Sequence, residues 1–177
     1  MTARVAIDAI DVIENRAAEL RTAFDRSFAE VVRAEGSERL DFLAVTIGAD
    51  RYAIRLSEIA GLFADRKITP VPSRLGTLLG VAGFRGAIVP VHDLRALFGH
   101  SSPRAPRWLV LAAAMPVALA FDLFESHVRL AADEIVPRAR ERGSTDYVRH
   151  VARMHDLSRP IVDFTAVLRA IKASAGG

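Results

Sequence analysis

The 177-residue sequence contains no cysteine. That absence excludes a disulfide framework, a thiolate nucleophile, a Cys-based zinc site and an iron–sulfur cluster, and it fits a reducing, cytoplasmic setting. Long apolar runs are also missing. The longest charge-free stretch, Trp108 to Phe121, is fourteen residues and is interrupted by Pro116, whereas a helical bilayer span needs about 18 or more. Arg4, Asp8, Asp11 and Glu14 stand where a signal peptide would need apolar residues, so neither export nor membrane insertion is expected. Aromatic residues make up only 7% of the chain, with one Trp and two Tyr.

What is present is a globular composition: 51% hydrophobic and 25% charged residues, enough apolar surface to offset the entropy of ordering. The 24 cations exceed the 21 acids by three, and most are arginine, which keeps the isoelectric point high. Residues 1–40 hold six arginines against eight acids, and the remainder is net positive with its cations dispersed among acids. A phosphate-binding face concentrates its cations, and a single-strand platform adds stacking aromatics. A β-barrel nucleic-acid binder is therefore an alternative reading only, and no nucleic acid is expected as a partner.

The order of elements follows from hydrophobic periodicity. Ile10, Ile13, Ala17, Leu20, Phe24 and Val31 repeat at spacings of three and four, predicting an N-terminal helix over 5–35 that ends before Gly36. Its seam suits docking on the rest of the chain or a helical partner. After Gly36 the period becomes two. Residues 42–47 and 52–56 predict a hairpin around Gly48-Ala49-Asp50. Ser57 then predicts a short helical turn over 58–63, a second turn is expected over 75–79, and 87–91 reads as a strand containing Pro90. A second apolar hairpin spans 108–114 and 117–121. Residues 147–154 read as strand, and a last helix follows Asp163 and ends near Ile171.

The two halves resemble each other. Displacing residues 81–98 by 70 positions brings Val81 onto Val151, Ala82 onto Ala152, Pro90 onto Pro160, Asp93 onto Asp163 and Ala96 onto Ala166, which points to a duplicated module. In each copy a strand runs into an Asp placed to cap a short helix. Each half suits a small β-barrel.

The stretch Val71-Pro72, a spacer, then Gly80-Val81-Ala82-Gly83-Phe84-Arg85-Gly86-Ala87-Ile88-Val89-Pro90-Val91-His92-Asp93-Leu94 resembles the signature of the CheW-like domain. The hairpin 42–56 resembles that family's opening strands. Ala118-Leu119-Ala120-Phe121-Asp122 with Val128-Arg129-Leu130, and the segment 147–153, resemble its later ones. Gly83, Phe84, Ala118 and His150 depart from the family pattern, and Gly61 stands where Glu is common.

The resemblance implies an all-β fold of two tandem five-stranded SH3-like barrels with short helices and an added N-terminal α-helix. The boundaries would be an extension over 1–40, a CheW-like domain over 41–172 and a flexible tail over 173–177. Within the domain, 41–105 and 106–172 would form the two barrel segments, with strands open to exchange between them. It also implies a non-catalytic chemosensory adaptor joining the regulatory domain of a chemotaxis-type histidine kinase to chemoreceptor tips, or a scaffold of a related motility or signalling pathway. Partner-binding residues on this reading are Arg85, Gly86, Gly80, Ile59 and Leu62. Arg85 offers a planar fork of donors for a carboxylate, with an internal ion pair as its structural alternative. Gly80 and Gly86 serve turn geometry equally well, and Ile59 and Leu62 share one face if the segment is helical.

No enzymatic constellation emerges. There is no G-x-S-x-G, His150 and His155 lack the helical i, i+4 spacing of a metal pair, and Gly80, Gly83 and Gly86 match neither a Walker A loop nor a dinucleotide fingerprint. Neither cofactor nor metal is expected.

Overall fold

The computed structural model of the chain describes residues 39–101, 105–138, 146–154 and 157–175. The expected N-terminal helix and its seam lie outside them. In order, the elements are β1 (Arg39–Ile47), β2 (Asp50–Arg55), β3 (Ile59–Ala64), β4 (Leu78–Phe84), β5 (Ala87–Asp93), α1 (Leu94–Leu97), β6 (Trp108–Ala112), β7 (Ala118–Phe121), β8 (Leu123–Ala131), β9 (Ile135–Pro137), β10 (Val148–Met154), β11 (Leu157–Val162) and α2 (Phe164–Ala175).

The strands form two sheets. One is six-stranded in the order β8-β1-β2-β11-β10-β9, and the other five-stranded in the order β3-β6-β7-β5-β4. The expectation of five strands in each is thus corrected by β9, a short strand that pairs with β10 through Val136 and Val151. Each ladder has two ends. Among the described residues the end strands are β8 and β9 in one sheet and β3 and β4 in the other.

The two sheets repeat one plan. In β4–β5 the partners are Leu78 with His92, Gly80 with Val91 and Val81 with Pro90; in β10–β11 they are Val148 with Val162, His150 with Ile161 and Val151 with Pro160. Every pair is displaced by 70 residues, and the one-residue bulge falls at the same place in both. Each proline lies just before its strand begins parallel pairing, at Val91 with Ala118 and at Ile161 with Ala53. A proline has no N–H to give to a second neighbour, so the parallel contact can start only after it.

Strands cross between the sheets. β3 follows β2 in the chain but pairs with β6, while β8 follows β7 but pairs with β1. Both sheets pack on one apolar layer that includes Val45, Ile54, Leu94, Val110, Phe121 and Phe164. Burying side chains of this size contributes about 1.5–3 kcal/mol each. Smaller clusters occupy the other faces, with Phe84, Val89 and Leu109 on one sheet and Phe42, Leu130 and Ile161 on the other.

Three local expectations change. Residues 59–63 are strand rather than helix, preceded by a 3₁₀ turn over Leu56–Glu58; their apolar spacing fits either form, and pairing with β6 decides it. Leu78 and Leu79 belong to β4 rather than to a helical turn. Helix α2 continues past Ile171 to Ala175, so 173–175 are not a flexible tail. Nothing between Lys172 and Ala175 opposes a helix. Asp163 accepts from the Ala166 N–H at 2.9 Å, and Asp93 caps α1 by accepting from the Arg95 N–H at 2.9 Å.

Arg95 is 3% exposed. Its guanidinium donates to both Asp93 oxygens, at 2.9 Å from Nε and 2.7 Å from Nη2, and reaches Asp122 Oδ1 at 3.1 Å. The other Asp122 oxygen accepts from the Gly48 N–H at 2.7 Å. One cation thereby ties the end of β5 to the β7–β8 crossing and the β1–β2 turn. Removing a buried ion-pair member leaves its partners uncompensated. Arg95→Ala is expected to lower unfolding free energy by about 3–5 kcal/mol in urea denaturation; a loss under about 1 kcal/mol would show that the cluster does not carry this connection.

Candidate functional site

The β4–β5 hairpin closes between Phe84 and Ala87, leaving Arg85 and Gly86 as its two-residue turn. Both have positive φ, 48° and 84°, the backbone sign that the right-handed twist of paired strands demands of such a turn. Gly86 satisfies it freely. A Cβ there would meet nothing within 4 Å, so its glycine answers to backbone conformation and not to packing.

Arg85 does not satisfy it freely. A non-glycine residue in the left-handed region costs about 1–2 kcal/mol, and Asn or Gly would suit the position better. Arg85 is exposed and makes no hydrogen bond or ion pair among the described residues, so the internal brace is not formed there. The Arg85 side chain is left facing solvent at the hairpin tip. It borders a groove of about 350 Å³ walled by Phe84, Val89, Leu111, Met115 and Pro116.

Ile88, on the same hairpin, is 79% exposed and lies opposite the exposed Gly83. Its candidacy is a finding of the structure. The sequence carried the signal, since Val89 and Val91 face inward and period two sends Ile88 outward. Arg85 and Ile88 thus put an exposed charged group and an exposed apolar group on one hairpin.

Gly80 is not brought into this surface. It is buried with φ of 143°, and a Cβ would lie 2.8 Å from the Thr69 carbonyl carbon and closer still to its oxygen. Thr69 exchanges two backbone hydrogen bonds with Val81, at 2.8 and 2.9 Å. Gly80 lets the 65–77 loop lie against the outer edge of β4.

Ile59 and Leu62 do share a face, for a different reason from the helical one. Ile59 pairs with Ala112 and Leu62 with Val110, and the bulge between Ile59 and Gly61 absorbs the odd residue. Both are half-buried against the layer between the sheets.

Beyond the groove, three further cavities meet the chain at the 3₁₀ turn, two of them bordered by Glu58. One of about 310 Å³ is bordered by Ser57, Glu58, Ala113, Ala114, Thr165 and Leu168. The next, of about 360 Å³, gathers Arg55, Glu58, Arg149, His150, Asp163 and Arg169 over Ile161 and Val162. Asp163 holds Arg149 at 2.7 Å, and Arg55 stacks over the Phe42 ring at 5.1 Å. Burial raises the Glu58 carboxyl above its usual range, with Arg55 opposing the shift.

No cluster of three or more His, Asp or Glu residues capable of holding a metal ion occurs among the described residues. His92 is buried, 3.3 Å from Thr77 Oγ1, and desolvation lowers its pKa below 6.5. Its neighbour Asp93 is engaged by Arg95. The two form no acid–base pair.

Two sets of measurements check these assignments. Arg85→Asn is expected to raise stability by about 0.5–1 kcal/mol through relief of the turn, whereas Gly80→Ala is expected to lower it by about 1–3 kcal/mol; a destabilised Arg85→Asn would contradict the strain argument. His92 is neutral in the fold while the unfolded chain gains a proton below pH 6.5, so stability is present above that pH and falls as the pH drops toward the depressed folded value. His92→Gln should flatten this part of a plot of urea midpoint against pH, and an unchanged slope would assign it to other groups.

Comparison with known proteins bears on most of the described region. The CheW-like domain pattern matches residues 41–172. The crystal structure of scaffolding protein TtCheW from Thermoanaerobacter tengcongensis is similar in fold, with a TM-score of 0.64 at 19% identity over 71% of this chain and 89% of that one. No curated protein matches the sequence. Among the described residues no helix is long and apolar enough to cross a membrane.

Proposed function

The chain belongs to the CheW-like domain family, and from that membership together with the Arg85 hairpin we propose that it is a non-catalytic adaptor of a chemosensory array. It links the regulatory domain of a chemotaxis-type histidine kinase to the cytoplasmic tip of a chemoreceptor. The observation that carries the reading is Arg85: an exposed, unpaired guanidinium held at positive φ at the tip of a hairpin whose neighbour Ile88 is also exposed. A turn selected for stability alone would not keep an arginine there.

The chemistry of the tip suits a protein partner. The guanidinium can take a carboxylate through two parallel hydrogen bonds, the groove beside it can receive a partner side chain, and Ile88 offers an apolar anchor on the outer face of the hairpin. Gly83, opposite Ile88, has open space above it and lets a partner backbone come close. Ile59 and Leu62 are half-exposed on β3, at the other end of the same sheet, where a second contact can form. Gly86 shapes the tip, and Gly80 holds the edge behind it.

Coupling on this reading needs no reaction. A kinase domain and a receptor that each bind the same rigid body affect one another through a shared binding free energy. The adaptor works from the cytoplasm, since both proposed partners present their binding regions there.

The test is direct binding of the purified protein to the recombinant regulatory domain of the cognate kinase and to a recombinant receptor tip. Wild type should bind both. Arg85→Glu and Ile88→Asp should each weaken one of the two by about tenfold or more, while urea denaturation remains close to wild type. Undiminished binding of both partners by both variants would remove the hairpin tip from the interface.

A further inference from the structure

Along the sequence the cations are dispersed among acids, but the fold gathers four of them at one place. Thr69 pairs with Val81 across the outer edge of β4, and the antiparallel run of that contact carries residues 65–67 back toward the Phe84–Ala87 turn. The Arg66 guanidinium follows this path. It lies 5.2 Å from the centre of the Phe63 ring and 5.8 Å from that of Phe84, two rings in edge contact at 4.8 Å. Arg66 and Lys67 thus stand beside Arg85. Arg107, just before β6, joins them through Asp65, donating from Nε to Oδ1 and from Nη2 to Oδ2, each at 3.1 Å.

The charge gathered there is not balanced locally. Asp65 is the only acid within 64–68, 83–88 and 105–108, and Arg107 already engages it. Arg66, Lys67 and Arg85 are exposed and make no hydrogen bond or ion pair among the described residues. Two of these cations are also held in place. Arg66 rests on its two rings, and Arg85 is fixed in the hairpin turn. Among the described residues, both non-glycine positions with positive φ lie in this cluster, Asp65 at 53° and Arg85 at 48°.

We propose that Arg66, Lys67 and Arg85 form a binding site for the oligophosphate group of a small molecule. Like charges held close together repel one another, and a multiply charged anion relieves that repulsion. A carboxylate would occupy a single guanidinium, whereas successive phosphoryl groups bring a charge and bidentate acceptor oxygens to each cation in turn. Cations that are already fixed lose little entropy on binding. A nucleic-acid strand is the poorer match, since it calls for an extended cationic track and stacking rings. Here the charge is gathered at one hairpin tip and its adjoining loop, and Phe84 is buried beneath Arg66. An acidic peptide spaces its carboxylates more widely than phosphoryl groups linked through a shared oxygen, so fewer of its charges reach one compact cluster. The inference goes beyond the adaptor reading and involves neither of its partners.

The probe is inorganic tripolyphosphate, titrated into the full-length protein by calorimetry at about 50 mM salt, where screening is modest. Wild type is compared with Arg66→Gln, Lys67→Gln, Arg85→Gln and Arg74→Gln, and urea denaturation establishes that each variant is folded. Lys67 has no ring contact, so its variant tests the site without disturbing the packing of Phe63 and Phe84. Arg74→Gln removes the same charge from beyond Pro72 in the same loop.

Wild type should bind tripolyphosphate, Arg66→Gln and Arg85→Gln should each weaken binding about tenfold, Lys67→Gln should weaken it severalfold, and Arg74→Gln should leave it nearly unchanged. Absence of binding by the wild type at about 10 mM tripolyphosphate overturns the proposal. An equal loss in Arg74→Gln shows attraction by net charge alone and overturns the site. Tighter binding of a single-stranded oligonucleotide than of tripolyphosphate gives the cluster to a nucleic acid, and tighter binding of a polyglutamate peptide gives it to an acidic protein; either result overturns the proposed occupant.

Discussion

A strand that leaves one sheet must find its backbone hydrogen bonds in another, because unpaired N–H and C=O groups are costly once buried. In this protein that constraint operates twice. β3 departs from β2 and is completed by β6, and β8 departs from β7 and is completed by β1. Each sheet therefore contains strands from both halves of the duplicated module, and the apolar layer between the sheets draws Val45 and Ile54 from one half and Val110 and Phe121 from the other. Neither half can satisfy its own ladder and bury its own face. The body that results is a single packed unit.

The two crossings are built differently. At the β7–β8 crossing Asp122 is held by Arg95 and the Gly48 N–H. Three residues on, Glu125 accepts from Arg159 and Thr46, and the Arg159 guanidinium keeps its carboxyl below the ordinary glutamate range. That crossing is closed by charge. At the β2–β3 crossing the Glu58 side chain has no hydrogen bond or ion pair among the described residues, and burial raises its carboxyl against the pull of Arg55. Three cavities meet there. The same residue type is a brace at one crossing and an unfilled position at the other.

The proposed adaptor role suits an ordered body with localised unsatisfied features. Pre-ordered backbone leaves little entropy to lose on association, so the strained Arg85 turn and exposed Ile88 can present their groups at small conformational cost. Strain at the tip is tolerated because the hairpin behind it is fixed by its neighbours: β5 pairs with β7 on one side and β4 on the other, and the loop bearing Thr69 secures the β4 edge.

Local pattern was enough for much of this. The alternation in 42–47, the Pro90 and Pro160 repeat, the capping roles of Asp93 and Asp163, and the place of Arg85 in a turn are all set by residues within a few positions of one another, where side-chain period and backbone preference act directly. The sequence was ambiguous at 59–63, because Ile59, Leu62 and Phe63 fit a helical face as well as a bulged strand, and it hid the start of β8, where Glu125, Ser126 and His127 interrupt the apolar pattern. Tertiary structure alone decided which sheet β3 and β8 join, that Gly80 answers to Thr69, and that Arg55, Arg149 and Arg169 border one cleft. Those outcomes depend on pairing and packing between segments up to about a hundred residues apart, and such contacts are fixed by the three-dimensional satisfaction of hydrogen bonds and apolar surface, which no local window of sequence encodes.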